Sequence, residues 1–382
     1  MAGLYVHIPY CTQRCVYCDF FFVTSRKSRA GFVRAVKFEI EHYAHHYGAA
    51  EPIRSVYFGG GTPSRLTLEE IHDILHTIHS GFDLSQVEEV TLEANPEDLD
   101  GAYLRGLREI GFTRLSVGVQ SFYDADLEFM NRAHNGEQAA AVTSLIPAAG
   151  FDSYSIDLIF GAPEQPAEYW GANLQRAVEQ GVPHISAYSL TVERATPLFK
   201  MIQNRVVPPV EDETIADRFR MTMDYLRSAG YEHYEVSSYA LPGHKAIHNQ
   251  SYWTHENYLG FGPSAHSFWR RGHSSKRWAN IRNLPRYQAL LEGRTLPVEF
   301  SEELEPETLA NEHIMLRLRT ASGLNLAHLE EHYGFDLYEE RVDDLAWLES
   351  EGFIEPIRND RIALTDEGMV FCDMVTSKLM LG

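Results

Sequence analysis

Residues 4–20 read LYVHIPYCTQRCVYCDF: a short apolar run, Leu4–Ile8, stops at Pro9 and gives way to Cys11, Cys15 and Cys18. The first half is a buried strand in miniature, and it opens a pattern that repeats to about residue 200. Further β-rich runs stand at Ile53–Phe58, Val87–Leu92, Arg114–Val119, Ser153–Ile159 and Ile185–Leu190. Helical segments lie between them at Phe32–Tyr47, Thr67–Ile78, Leu104–Ile110, Glu137–Ala148 and Tyr169–Gln180. In the second of these, Thr67 with Glu70 predicts a capping box ahead of the periodic Ile71, Leu75 and Ile78. Alternating strands and helices predict an α/β fold with a parallel sheet. Six such units are too few for an ordinary closed eight-unit barrel, so the expectation is an open, partial (β/α)6 barrel.

Ligands of such sheets sit beyond the carboxyl ends of the strands, where the βα loops converge. The chemically capable residues fall there. The cysteines follow the first strand, Gly59-Gly60-Gly61-Thr62-Pro63 the second, Glu93-Ala94-Asn95-Pro96 the third and Gln120 the fourth, while Asp157 lies late in the fifth. The spacing C-x3-C-x2-C offers three thiolates, one fewer than a four-iron cluster has irons, which leaves one iron open for chemistry. The alternative is a structural zinc ion with His7 as fourth ligand, although zinc sites usually draw their cysteines from two C-x2-4-C pairs.

The triplet, with Tyr17 just before its last cysteine, resembles the signature of the radical S-adenosylmethionine (SAM) superfamily. Within it, HIPYC, VYFGGGTPS, EANPE, RLSVGVQSF, SIDLIFGAP, HISAYSLTVE, HNQSYW and GPSAHS, in that order along the chain, are similar to the branch holding oxygen-independent coproporphyrinogen III dehydrogenase and its heme-chaperone relatives. The resemblance implies a [4Fe-4S] cluster on Cys11, Cys15 and Cys18, with SAM chelating the fourth iron through its amino and carboxylate groups. It also implies SAM contacts from Tyr5, Tyr17, Gly60, Gly61, Thr62, Glu93, Gln120, Arg132 and Asp157. Glycines let backbone approach a ligand closely, Glu93 suits paired ribose hydroxyls, and Arg132 suits a carboxylate.

Two departures separate the chaperone from the dehydrogenase. The dehydrogenase has a fourth cysteine two residues after the third, where this chain has Phe20, and a long segment ahead of the cluster, where this chain has ten residues before Cys11. His248-Asn249-Gln250-Ser251-Tyr252-Trp253 matches the H-N-x-x-Y-W motif of the chaperone branch. Composition supports the same reading: residues 241–296 hold eight Lys+Arg against Glu256 and Glu292, together with His244, His248, His255, His266 and His273 and several aromatics. A flat iron-bearing ring with two propionates wants aromatic walls, an imidazole and cations. His248 is the first expectation for the heme iron ligand and His266 the second. A structural segment packed on the barrel, with salt bridges to the acidic carboxyl-terminal module, is the plainer alternative. The expected function is a heme chaperone that binds heme beside a SAM-ligated cluster and passes heme to recipient proteins, which the resemblance links to the respiratory chain. The competing function is oxidative decarboxylation of porphyrinogen propionates; an RNA-modifying enzyme of the same superfamily is a third class.

The whole chain, 382 residues with 33 Lys+Arg against 54 Asp+Glu and a net charge of −21, has a globular composition. Three regions are expected: a partial barrel over 1–205, an extension with the basic His- and aromatic-rich stretch over 206–300, and an α+β module over 301–382 that resembles a winged helix with a hairpin at Asn359-Asp360. That last module carries 19 acids and 6 Lys+Arg, or 6 − 19 = −13. Such a surface repels phosphates, so no nucleic-acid partner is expected. Neither a membrane span nor a signal peptide is apparent in the sequence, which predicts a cytoplasmic protein. A homodimer is the oligomer that the resemblance implies. Cys372, far from the triplet, is expected as a small buried hydrophobe.

Overall fold

The computed structural model describes residues 1–272 and 274–382, so His273 lies outside the described residues. Six strands form in the order expected: β1 (Ala2–Ile8), β2 (Ile53–Gly60), β3 (Glu89–Ala94), β4 (Arg114–Gln120), β5 (Ser153–Phe160) and β6 (His184–Ser189). They lie side by side in sequence order and pair in parallel throughout. Both faces of β1 are covered: Ala2, Leu4, Val6 and Ile8 are fully buried on one, and Gly3 and His7 are buried on the other. The capping box at Thr67 forms: its side chain accepts from the Glu70 amide, and Glu70 accepts from the Thr67 amide, starting the helix Leu68–Gly81.

The sheet goes further than the sequence pattern. β7 (Glu232–Glu235) and β8 (Ser238–Ala240) add an antiparallel pair beside β6. On the other flank β9 (Asn257–Phe261) pairs in parallel with β1, matching Leu4 to Leu259 and Val6 to Phe261. Three antiparallel strands continue outward: β10 (His266–Arg271), β11 (Ser274–Asn280) and β12 (Val298–Glu303). The described sheet thus runs β12-β11-β10-β9-β1-β2-β3-β4-β5-β6-β8-β7 and stays open, with β12 and β7 at its edges. The basic stretch is therefore woven into the barrel's own sheet.

A buried carboxylate fixes this added flank. Glu39, on the helix Arg29–Tyr47, is fully buried and accepts hydrogen bonds from Tyr287 Oη (2.5 Å), Asn280 Nδ2 (2.6 Å) and the Gly262 amide (2.9 Å). Burial lifts its carboxyl to about 7 despite those three donors.

In the terminal module, helices Pro306–Leu318, Leu326–Tyr333 and Val342–Ser350 precede a hairpin whose turn is Asn359-Asp360, both with positive φ as a type I′ turn requires. β13 (Leu324–Asn325) pairs with β14 (Arg361–Ile362) beside it, giving the winged-helix-like arrangement. Cys372 is buried. Its core is continuous with that of the barrel, and Arg220–Glu367 and Arg227–Asp366 pairs cross the surface between them. Among the described residues no helix is long and apolar enough to cross a membrane.

Candidate functional site

A cavity of about 510 Å3 opens at the carboxyl ends of the parallel strands. Cys11, Cys15, Tyr17, Cys18, Gly60, Gly61, Thr62, Glu93, Gln120, Arg132 and Asp157 all line it. Eleven residues spread over nearly 150 positions converge because each stands in a loop, or near a strand end, on the same edge of the sheet.

Local backbone makes the approach possible. A Cβ on Gly61 would stand 2.8 Å from the Ile8 carbonyl oxygen and 3.0 Å from the Tyr10 amide nitrogen, so the loop after β2 packs directly on the backbone leading to Cys11. Gly60 has φ +109°, which favours glycine, and its amide donates to Glu93 Oε2 at 3.0 Å. Gln120 adopts φ +65° where the β4–β5 register shifts, a strained conformation of the kind found at ligand sites.

The charges are poised against one another. Glu93 accepts from Tyr57 Oη at 2.8 Å, yet burial, reinforced by the Asp157 carboxylate, lifts its carboxyl to about 7. Burial lifts Asp157 to about 6, opposed by hydrogen bonds from Ser186 and Ser116 and by the Arg114 and Arg132 cations. Arg132 donates to Asn95 Oδ1 (2.6 Å), the Gly118 carbonyl (2.8 Å) and Cys15 Sγ (3.4 Å), and its Nε is buried with no partner among the described residues. Thr62 Oγ1 donates to Cys11 Sγ at 3.5 Å. Burial pushes the Cys11 thiol up to about 12 and raises Cys18 as well; coordination by a cation would reverse that.

Three expectations change. Tyr5 does not line this cavity: its ring lies behind Gly59, stacked on Tyr57, and its hydroxyl bonds His7 Nδ1 at 3.2 Å. The other nitrogen of His7 bonds the Phe21 carbonyl at 2.9 Å, so the imidazole has no free nitrogen for a zinc ion. His248 is 1% exposed, its Nδ1 bonded to Ser55 Oγ (2.8 Å) and its Nε2 to Tyr252 Oη (3.0 Å), with Tyr57 stacked on its ring. Burial holds it neutral, down to about 3. It is a core histidine, and as placed it offers no nitrogen to a heme iron.

His266 is different: it is exposed, at the start of β10, on a second cavity of about 310 Å3 that also borders Tyr5 and Tyr252. The basic stretch is otherwise partly neutralised. Arg277 pairs with Glu302 and Glu312, Lys245 with Glu232, and Arg270 donates to Tyr333 Oη. Sequence reasoning missed Asn95 as the partner of Arg132, although it stands inside the EANPE loop, and it missed Glu39, whose one signal is an acid on the apolar stripe Val36–Ile40–Tyr43.

A parallel sheet with three cysteines looped from its first strand onto the glycines of its second defines the radical SAM class. The Radical SAM superfamily model matches residues 5–177, and the HemN C-terminal domain model matches residues 304–371. The heme chaperone HemW of Mycobacterium tuberculosis (strain H37Rv) is 33% identical over 99% of this chain and 94% of the relative; that of Lactococcus lactis is 31% identical over 99% and 97%. The chain belongs to the HemW family of radical SAM proteins. In fold it is similar to coproporphyrinogen III oxidase (HemN) from Escherichia coli, with a TM-score of 0.85 at 22% identity over 99% of this chain and 90% of the other. Membership of the superfamily implies SAM and an iron–sulfur cluster.

Proposed function

We propose that this protein is a heme chaperone: it binds heme, carries a SAM-ligated cluster on Cys11, Cys15 and Cys18, and delivers heme to recipient proteins in the cytoplasm or at its membrane. The observation that carries the reading is the sequence identity to HemW proteins over nearly the full length of the chain. The absence of a cysteine at position 20 agrees with it.

The residues fit the implied group. Three free thiols border one cavity, a guanidinium with an unsatisfied buried Nε faces them, and glycines keep the floor open. When bound, the cluster would supply an iron that SAM chelates and a source of single electrons. Around it, Arg132 offers a cation to a carboxylate and also steadies Cys15. Glu93, held by Tyr57 and the Gly60 amide, presents oxygens to ribose hydroxyls, and Asp157, Gln120, Tyr17, Gly61 and Thr62 complete the wall. Tyr5 acts from behind Gly59 by packing. Homodimerisation is part of the proposal.

The test is an anaerobic reconstitution of the full chain, offered heme in one sample and coproporphyrinogen III with SAM and reductant in another. Tight heme binding without protoporphyrinogen formation is expected. Protoporphyrinogen formation would overturn the reading in favour of the dehydrogenase.

A further inference from the structure

The second cavity lies against the outside of the cysteine loop. Phe20, Phe21, Tyr252, Tyr258, His266 and Arg282 line it beside Tyr5, His7 and Asp19, so aromatic rings, an imidazole with no hydrogen-bond partner among the described residues and a guanidinium border about 310 Å3. That volume is at the lower end of ligand clefts, about 300–1,000 Å3, and suits a ring inserted along one edge with the rest left in water. Phe20, 67% exposed, extends the apolar wall outward. Among the described residues no hydrogen bond engages the His266 ring, whereas both nitrogens of neighbouring His7 are taken. Arg282 donates to the Asp19 carbonyl at 2.8 Å through one nitrogen, Nη2, which leaves further donors for an anion.

We propose that the tetrapyrrole docks here, with its iron on His266 and its propionate edge toward Arg282, and that His248 is a positioning residue that holds Tyr252 against the ring from behind. This placement rests on the heme reading above. Both residues of the H-N-x-x-Y-W motif at issue then have a physical role. His248 Nε2 bonds the Tyr252 hydroxyl while its Nδ1 anchors to Ser55 on β2, so the motif transmits rigidity from the sheet to the cavity wall. An aromatic wall with an imidazole and a flanking cation is the chemistry that a ferric porphyrin with ionised propionates selects.

The test is a ferric heme titration of the full-length reconstituted protein, read by Soret absorption and electron paramagnetic resonance. His266→Gly should lose the imidazole-ligated signature and bind at least tenfold more weakly, and added imidazole should restore the signature, which a misfolded variant would not allow. His248→Gln should keep the wild-type signature with affinity lowered several-fold. A wild-type signature in His266→Gly, or its loss in His248→Gln, would overturn the placement. Failure of the wild-type protein to bind heme at all would overturn the heme reading itself, and the placement with it.

Discussion

Two cavities share the wall formed by Asp19 and Phe20, and they are built on opposite principles. The larger holds buried charged groups in fixed positions: burial raises the Glu93 and Asp157 carboxyls, Arg132 is bonded on three sides, and a positive-φ glutamine and close-packed glycines fix the backbone. The smaller is aromatic, with an exposed imidazole and a solvent-facing phenylalanine at its rim. A cavity of the first kind suits a resident cofactor, because its dipoles are oriented before the ligand arrives. One of the second kind suits cargo that must also leave, since apolar contact is undirected and a half-exposed ring is easily withdrawn.

Experiments can separate the two. The largest effect is expected from replacing Cys11, Cys15 and Cys18 with serine: iron after anaerobic reconstitution should fall from about four per chain to background, while heme affinity changes less than about threefold. Collapse of both would show that the cavities are one functional unit. Next comes Gly61→Ala, whose new methyl meets the backbone of the cysteine loop. Equilibrium dialysis should show SAM binding weakened at least about tenfold, a loss of roughly 1.4 kcal/mol or more, with heme binding kept.

Glu39→Gln probes the flank that carries the second cavity. The Glu39 carboxyl titrates near 7 in the folded chain against 4.5 in its ordinary state. The native protein therefore binds more protons between those values, and the stability linked to this group is full below the lower one and lost as pH rises through the upper. Wild-type stability should fall across this window by on the order of 2–3 kcal/mol from this group, and the glutamine variant should lack that slope. Chemical denaturation at pH 5 and pH 8 measures it. Parallel slopes in the two proteins would remove Glu39 from the account. Phe20→Ala should have the smallest effect: an exposed side chain contributes within about 0.5 kcal/mol to stability, so Tm should barely move while heme affinity drops a few-fold.

The barrel and the first cavity were legible because β-rich runs alternate with helical segments, and most of the ligand-class residues stand near or just past the carboxyl ends of those runs. The β1-to-β2 crossing, for example, is announced by Ile53–Phe58 and then by three glycines in a row. The second cavity was legible only in part: His266, Tyr252 and Arg282 belong to the stretch singled out in the sequence, but nothing there brings Phe20 and Phe21 to them. β9 is five residues interrupted by Gly260, and β10 and β11 carry Arg270, Arg271, Lys276 and Arg277, so they read as a solvated basic stretch. His248 misled for the same reason: the groups that bury and bond it include Ser55, 193 residues away. A sequence shows that a histidine is present, while its two hydrogen-bond partners belong to the tertiary fold. The winged-helix-like hairpin was recoverable from Asn359-Asp360, because a type I′ turn needs two residues that tolerate positive φ.

The parallel seat of β9 beside β1 also sets a schedule for synthesis. β1 and the cysteines are made well before β9, so β1 lacks one of its two neighbouring strands until Phe261 has been joined to the chain. At about 5–20 residues per second that interval is on the order of tens of seconds. During it the three thiols hang from a half-paired strand. Metal delivered before the interval ends would meet a cysteine loop on a strand not yet fully paired, which predicts that cluster insertion follows release of the barrel's last parallel strand.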